Sequence, residues 1–146
     1  MINKIKEIYL KYKEIINYLF FGVLTTIVSL TTYYLLVLTI LNPLDALELQ
    51  IANIISWITA VTFAYITNRK YVFNSKNNNI INEMTKFYSS RVTTLLLDMA
   101  FMYIFVTKLT FNDKIIKLIV QVLVTILNYI LSKLLVFKTK ENQLTK

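Results

Sequence analysis

Apolar residues run along this chain in four long blocks separated by short polar breaks. Ile15 to Leu44 carries no charged residue, and Leu49 to Asn68 is a second uncharged run. Val92 to Thr107 is interrupted only by Asp98, and Leu118 to Ser132 is unbroken. A helix that crosses a bilayer needs about 20 mainly apolar residues. With allowance for ragged ends, the blocks predict membrane helices over residues 15–41, 49–69, 87–108 and 115–136. The expected fold class is all-α: an integral membrane protein with a single membrane domain over residues 1–146.

The second and fourth blocks end on related sequences. One closes Asn68-Arg69-Lys70-Tyr71-Val72-Phe73 and the other Ser132-Lys133-Leu134-Leu135-Val136-Phe137. Gly22-Val23-Leu24-Thr25-Thr26 likewise echoes Ser90-Arg91-Val92-Thr93-Thr94, and Tyr65-Ile66 echoes Tyr129-Ile130. The pattern predicts two helix-hairpin repeats that enter and leave on the same side. Such repeats are parallel, related by an axis near the membrane normal.

Composition agrees with the pattern: 56% of residues are hydrophobic and 16% charged, and mean hydropathy is +0.56, outside the range of soluble domains. The first block is longer than the apolar core of a signal peptide and lacks a small-residue cleavage site, so a retained helix is expected. With no Cys and no His, disulfides, thiolate metal sites and the commonest general base are all missing. No metal, cofactor or catalytic residue is expected, and hydrolase or metalloenzyme chemistry is disfavoured.

The net charge of +8 gathers at helix ends. Lys4, Lys6, Lys11 and Lys13 precede the first helix. Arg69, Lys70, Lys76, Lys86 and Arg91 lie in or beside the middle connection, and Lys133, Lys138, Lys140 and Lys146 follow the fourth helix. The connection between the first two helices carries Asp45 and Glu48 and no base. The positive-inside rule then predicts cytoplasmic termini and a cytoplasmic loop over residues 70–86. This charge serves topology and attraction to anionic membrane lipids, and no nucleic-acid partner is expected. The first fifteen residues suit an amphipathic interfacial helix, and the tail after Lys138 reads as disordered.

Ionisable groups inside a bilayer are expensive and mark function. Asp98, near the middle of the third helix, would cost about 2.5–3.5 kcal/mol as a carboxylate. It must be paired, protonated or facing a wet cavity. Arg91 lies on about the same face, roughly 10.5 Å away along the axis. Lys117 enters near the outer end of the fourth helix, and Asn53, Asn68, Gln121 and Asn128 add amides on the second and fourth helices. Cations of this kind suit a phosphate and amides suit sugar hydroxyls. The same residues also serve as interhelical bonds or snorkelling groups.

These residues resemble the GtrA family over roughly Asn17 to Phe137. The resemblance rests on Phe20-Phe21-Gly22-Val23 with Thr26, on Ala52-Asn53, and on Phe63-Ala64 followed by Asn68-Arg69-Lys70-Tyr71-Val72-Phe73. In the second half it rests on Phe87, Arg91, Asp98, Lys117, Asn128, Ser132-Lys133 and Val136-Phe137. It implies a flippase that carries a polyprenyl-phosphate-linked monosaccharide (undecaprenyl in bacteria) to the outer leaflet for glycosylating a cell-wall polysaccharide or teichoic acid. The implied location is the bacterial cytoplasmic membrane, between glycosyltransferases acting before and after it.

On this reading Arg91, Lys117, Asp98, Asn68, Asn128, Asn53 and Gln121 contact substrate. Ala64, Val72, Phe73, Phe87, Arg69, Lys133 and Phe137 are structural or gating residues. Ala64 stands where many relatives carry Asn, so the site is expected to weigh toward the second repeat. A homodimer is expected, because four helices enclose little volume. The alternative is a non-transporting subunit that anchors a membrane glycosyltransferase. Small four-helix multidrug exporters place their key Glu in the first helix, and here that helix has no carboxylate between Ile15 and Leu44.

Overall fold

A computed structural model describes residues 2–42 and 44–137, without the side chains of residues 2–8, Asp113, Lys114 and Lys117. The expected disordered tail after Lys138 lies outside the described residues. The regular structure of the described residues is all helical, as α1 (Ile2–Thr39), α2 (Ala46–Thr67), α3 (Ile80–Met102) and α4 (Asp113–Leu131). It contains four stretches long and apolar enough to cross a membrane: Tyr9–Thr39, Ala46–Val72, Ile80–Lys108 and Leu118–Val136.

Helix starts are set by side-chain caps. Asp45 accepts from the backbone N–H groups of Leu47 and Glu48 at 2.8 and 3.1 Å, while the Glu48 carboxylate turns back to accept from the Asn42 N–H. Asn79 accepts from Asn82 N–H at 3.1 Å, and Asn112 from Ile115 N–H at 3.2 Å. Each cap satisfies donors that a helix start leaves unpaired. The Asn79 cap is why α3 begins at Ile80, about two turns before the expected start at Phe87. At the other end of the chain, α1 runs without a break from Ile2, so the basic first residues continue the first membrane helix.

Three helices close differently from ordinary ones. α2 passes into a π-helical turn at Asn68–Val72, α3 into one at Tyr103–Lys108, and α4 into one at Ser132–Val136. Bonds five residues apart seal them: Phe73 N–H to Asn68 O at 2.9 Å, Leu109 N–H to Ile104 O at 3.0 Å, and Phe137 N–H to Ser132 O at 2.8 Å. π-helical turns are uncommon and frequently lie at functional sites. The first is followed by Asn74 in the left-handed region (φ 46°), a conformation asparagine tolerates well.

The chain divides into two compact units at Asn74–Ser75. In the first, α1 packs along α2 and also against the turn that ends it. In the second, α3 packs along α4 and against the turn that ends that helix. An aromatic docks each turn: Phe73 meets Tyr18 with ring centroids 6.5 Å apart, and Phe137 meets Phe87 at 5.7 Å.

Burial follows a four-residue stripe on α2, where Ala52, Ser56, Ala60 and Ala64 are buried and Asn68 continues the spacing. Small residues at that interval let helices approach closely. Leu118, Val122, Ile126 and Ile130 of α4 are exposed, as lipid-facing residues are. Hydroxyls inside the spans bond back to their own helices. Thr25 donates to Phe21 O at 2.8 Å, Thr62 to Ile58 O at 2.8 Å and Thr125 to Gln121 O at 2.8 Å. That arrangement leaves no hydroxyl donor facing hydrocarbon at these positions.

Candidate functional site

The second unit holds most of the residues singled out by sequence. Its centre is Phe87, wholly buried on α3. One helical turn further, the Arg91 guanidinium carbon lies 4.6 Å from the centre of the Phe87 ring, within the range of a cation–π contact. The ring packs on Phe137 from the π-helical turn after α4. Helix end, aromatic pair and cation therefore meet at Phe87, forming an Arg91 column, and Arg91 itself is half-buried.

The next turn of α3 carries a polar seam. The Thr94 hydroxyl donates to Asn128 Oδ1 at 2.8 Å and lies 3.2 and 3.1 Å from the Ser90 and Arg91 carbonyls. Thr94 is buried and Asn128 half-buried, so this bond pins α3 to α4 beside the Arg91 column. Asn128 thus has at least one interhelical partner. Replacing Thr94 by Val or Asn128 by Leu is expected to cost about 1 kcal/mol of stability each. A double-mutant cycle should show a coupling of about 0.6 kcal/mol. Zero coupling in unfolding measurements would show the seam to be energetically idle.

Asp98 lies half-buried on α3, about two turns beyond Arg91. Lys117 belongs to α4, and its side chain lies outside the described residues. Gln121 is exposed. Lys133 is exposed too, and its Nζ donates to the Tyr129 hydroxyl at 3.3 Å.

In the first unit Asn53 is exposed, Ala64 is buried, and Arg69, Val72 and Phe73 are half-buried. Asn68 is buried, and its Oδ1 has no hydrogen-bond partner. The Ser132 hydroxyl, at the first position of the turn ending α4, is likewise buried and unpartnered. Both π-helical turns that end a unit therefore open on an unsatisfied polar group, a costly arrangement in a low-dielectric setting.

Sequence reasoning passed over Thr94 and Ser132 as site residues and missed Glu83 altogether. Glu83 is 1% exposed and accepts a hydrogen bond from the Ser75 hydroxyl at 2.5 Å. It begins the buried α3 stripe of Glu83, Phe87, Ser90 and Thr94. The Asn79 cap signal, three residues before Asn82, was the clue that Glu83 belongs to a helix rather than to a loop.

Four helices long and apolar enough to cross a membrane make this a multi-pass membrane protein. The chain belongs to the GtrA family: the profile of the GtrA/DPMS transmembrane domain matches residues 17–137. It is 39% identical over 128 residues to the uncharacterized membrane protein YwcD of Bacillus subtilis, covering 85% of this chain and 97% of that protein. It is 35% identical over 131 residues to the cell wall teichoic acid glycosylation protein GtcA of Listeria monocytogenes, covering 88% of this chain and 87% of that one. The protein of the same name in Listeria innocua is 34% identical over 131 residues, with the same coverage. No solved structure matches.

Proposed function

We propose that this protein flips a polyprenyl-phosphate-linked monosaccharide across the bacterial cytoplasmic membrane, supplying glycosylation of teichoic acid or a related wall polymer. The observation that carries the reading is the Arg91 column, a guanidinium held over one ring of a buried aromatic pair on an apolar helix. It sits in a family whose relatives include proteins named for teichoic acid glycosylation. Arg91 meets the phosphodiester from the cytoplasmic side, and Lys117 receives it toward the outer side. Asp98, Asn68 and Asn128 order the sugar or the helices around it. The polyprenyl chain stays in lipid, so only the head group needs shielding. No bond is made or broken, and the protein acts as a carrier rather than as an enzyme.

On this reading both termini are cytoplasmic. A second copy of the chain widens the shielded path, and crosslinking in native membranes is expected to trap a dimer. Recovery of monomer alone at saturating crosslinker would remove the dimer. Liposomes containing only this protein are expected to exchange a short-chain polyprenyl-phosphate hexose between leaflets.

A second reading, an accessory subunit of a membrane glycosyltransferase, draws support from Asn53 and Gln121. Both are exposed amides on membrane helices, and an amide facing lipid is unfavourable unless a partner covers it. Absence of exchange by folded, inserted protein, together with co-purification of a transferase that is lost in Asn53→Leu, would establish that reading instead.

A further inference from the structure

Away from the Arg91 column, the first unit carries a groove of about 710 Å³ between the N-terminal half of α1 and the turn that follows α2. That volume lies in the range of small-molecule sites. Leu10, Lys13, Asn17 and Phe21 recur at intervals of three and four and therefore line one side of α1. The opposite wall is Lys70, Tyr71 and Val72.

Two contacts hold the walls in place. The Asn17 Nδ2 donates to the Tyr71 carbonyl at 3.3 Å. The Tyr71 ring stacks on Phe21 with centroids 5.2 Å and planes 17° apart. Lys11, Lys13 and Lys70 bring three positive charges to this groove against one carboxylate, Glu14. Lys70 has its Nζ 5.2 Å from the Tyr71 ring centre, so its charge is held at the rim.

The rim is apolar on one side: Leu10 is 61% and Phe20 58% exposed. A free inorganic phosphate gains nothing from those side chains, whereas an amphiphile uses both the cations and the apolar rim. We infer that this groove binds the phosphate head group of an anionic lipid, with the lipid chain lying over Phe20. The inference rests on the flippase reading only for which lipid is held. Under that reading the groove is the loading position in the cytoplasmic leaflet, before the substrate reaches Arg91.

The test uses full-length protein in phosphatidylcholine nanodiscs, with bound lipid counted by native mass spectrometry. Three probes are titrated separately: a short-chain polyprenyl-phosphate hexose, phosphatidylglycerol and inorganic phosphate. Saturable binding of a lipid probe is expected, weakened at least tenfold in the double variant K13A/K70A and retained in K13R/K70R. The double variant K76A/K86A removes the same charge from exposed lysines outside the groove and is expected to bind as wild type.

Displacement of the hexose lipid by equimolar phosphatidylglycerol assigns the groove to membrane phospholipid, and resistance to displacement assigns it to the lipid-linked sugar. Either result supports the groove. Equal weakening in both alanine double variants, unsaturable binding, or equal affinity for inorganic phosphate overturns it, because the lysines then act only as surface charge or as a site for the bare ion. Binding in the groove without leaflet exchange would leave the groove standing and remove the flippase reading. Unchanged binding in K13A/K70A with leaflet exchange intact would do the reverse.

Discussion

Arg91→Ala is expected to abolish leaflet exchange of a polyprenyl-phosphate hexose, and wall-polymer glycosylation in cells, while the protein still inserts and accumulates. The two halves of that expectation have different physical sources. Structurally, Arg91 contributes a contact to the Phe87 ring worth about 0.5–2 kcal/mol, small beside the stability of a folded protein. Functionally, a guanidinium gives a phosphodiester two parallel charge-assisted hydrogen bonds, each worth about 1.5–3 kcal/mol. Losing both removes about 3 kcal/mol or more, and each 1.4 kcal/mol is a factor of about ten. Exchange should fall by two orders of magnitude or more.

Arg91→Lys separates charge from geometry, because an ammonium keeps the charge and loses the planar fork. Its exchange rate should lie between those of wild type and Arg91→Ala. The measurement is a rate in liposomes at matched protein density, alongside membrane abundance by immunoblot. Wild-type exchange in Arg91→Ala at normal abundance would take the phosphate away from this residue.

The four apolar helices were readable because their uncharged runs exceed any soluble element, and the family resemblance followed from ordered residues spread along nearly the whole chain. The helix ends were less readable. The reading from hydropathy started the third helix near Phe87, since Glu83 and Lys86 look like loop residues, yet the Asn79 cap extends α3 back to Ile80. The π-helical turns left no compositional mark. Asn68–Val72 and Ser132–Val136 stood out as an echo of basic residues and Val-Phe, but nothing in that echo says that the hydrogen bonds shift from four residues to five.

Site geometry was harder for another reason. A helix apolar on every side gives no rotation about its own axis. Thr93 and Thr94 are equally prominent in the sequence, but only Thr94 turns inward to Asn128, while the Thr93 hydroxyl bonds back to the Ser89 carbonyl. Asn53 and Gln121 looked equivalent to Asn68 and Asn128, and the structure turns the former pair outward.

Phe87→Ala is expected to produce the opposite pattern to Arg91→Ala: severe loss of protein, with loss of function as its consequence. Phe87 is 0% exposed, and removing a fully buried Phe ring costs about 3–5 kcal/mol through lost contacts and an unfilled cavity. The pairing with Phe137 adds about 0.5–1.5 kcal/mol beyond area. A total of that size rivals the whole stability of many proteins. It falls on the contact that fastens the π-helical turn after α4 to α3. Membrane abundance should drop several-fold, with an early unfolding transition in detergent by fluorescence-detected size exclusion.

Phe87→Leu refines the test, since it restores most of the buried volume but offers Arg91 no ring face. Its abundance should recover substantially, while leaflet exchange stays below wild type because the guanidinium has lost the surface that aims it. Should Phe87→Leu recover abundance and exchange together, the ring acts only as filling and Arg91 is oriented by other contacts. Should Phe87→Ala itself accumulate like wild type, the aromatic column does not hold the second unit together, and the stability of that unit must come from the α3–α4 seam around Thr94 and Asn128.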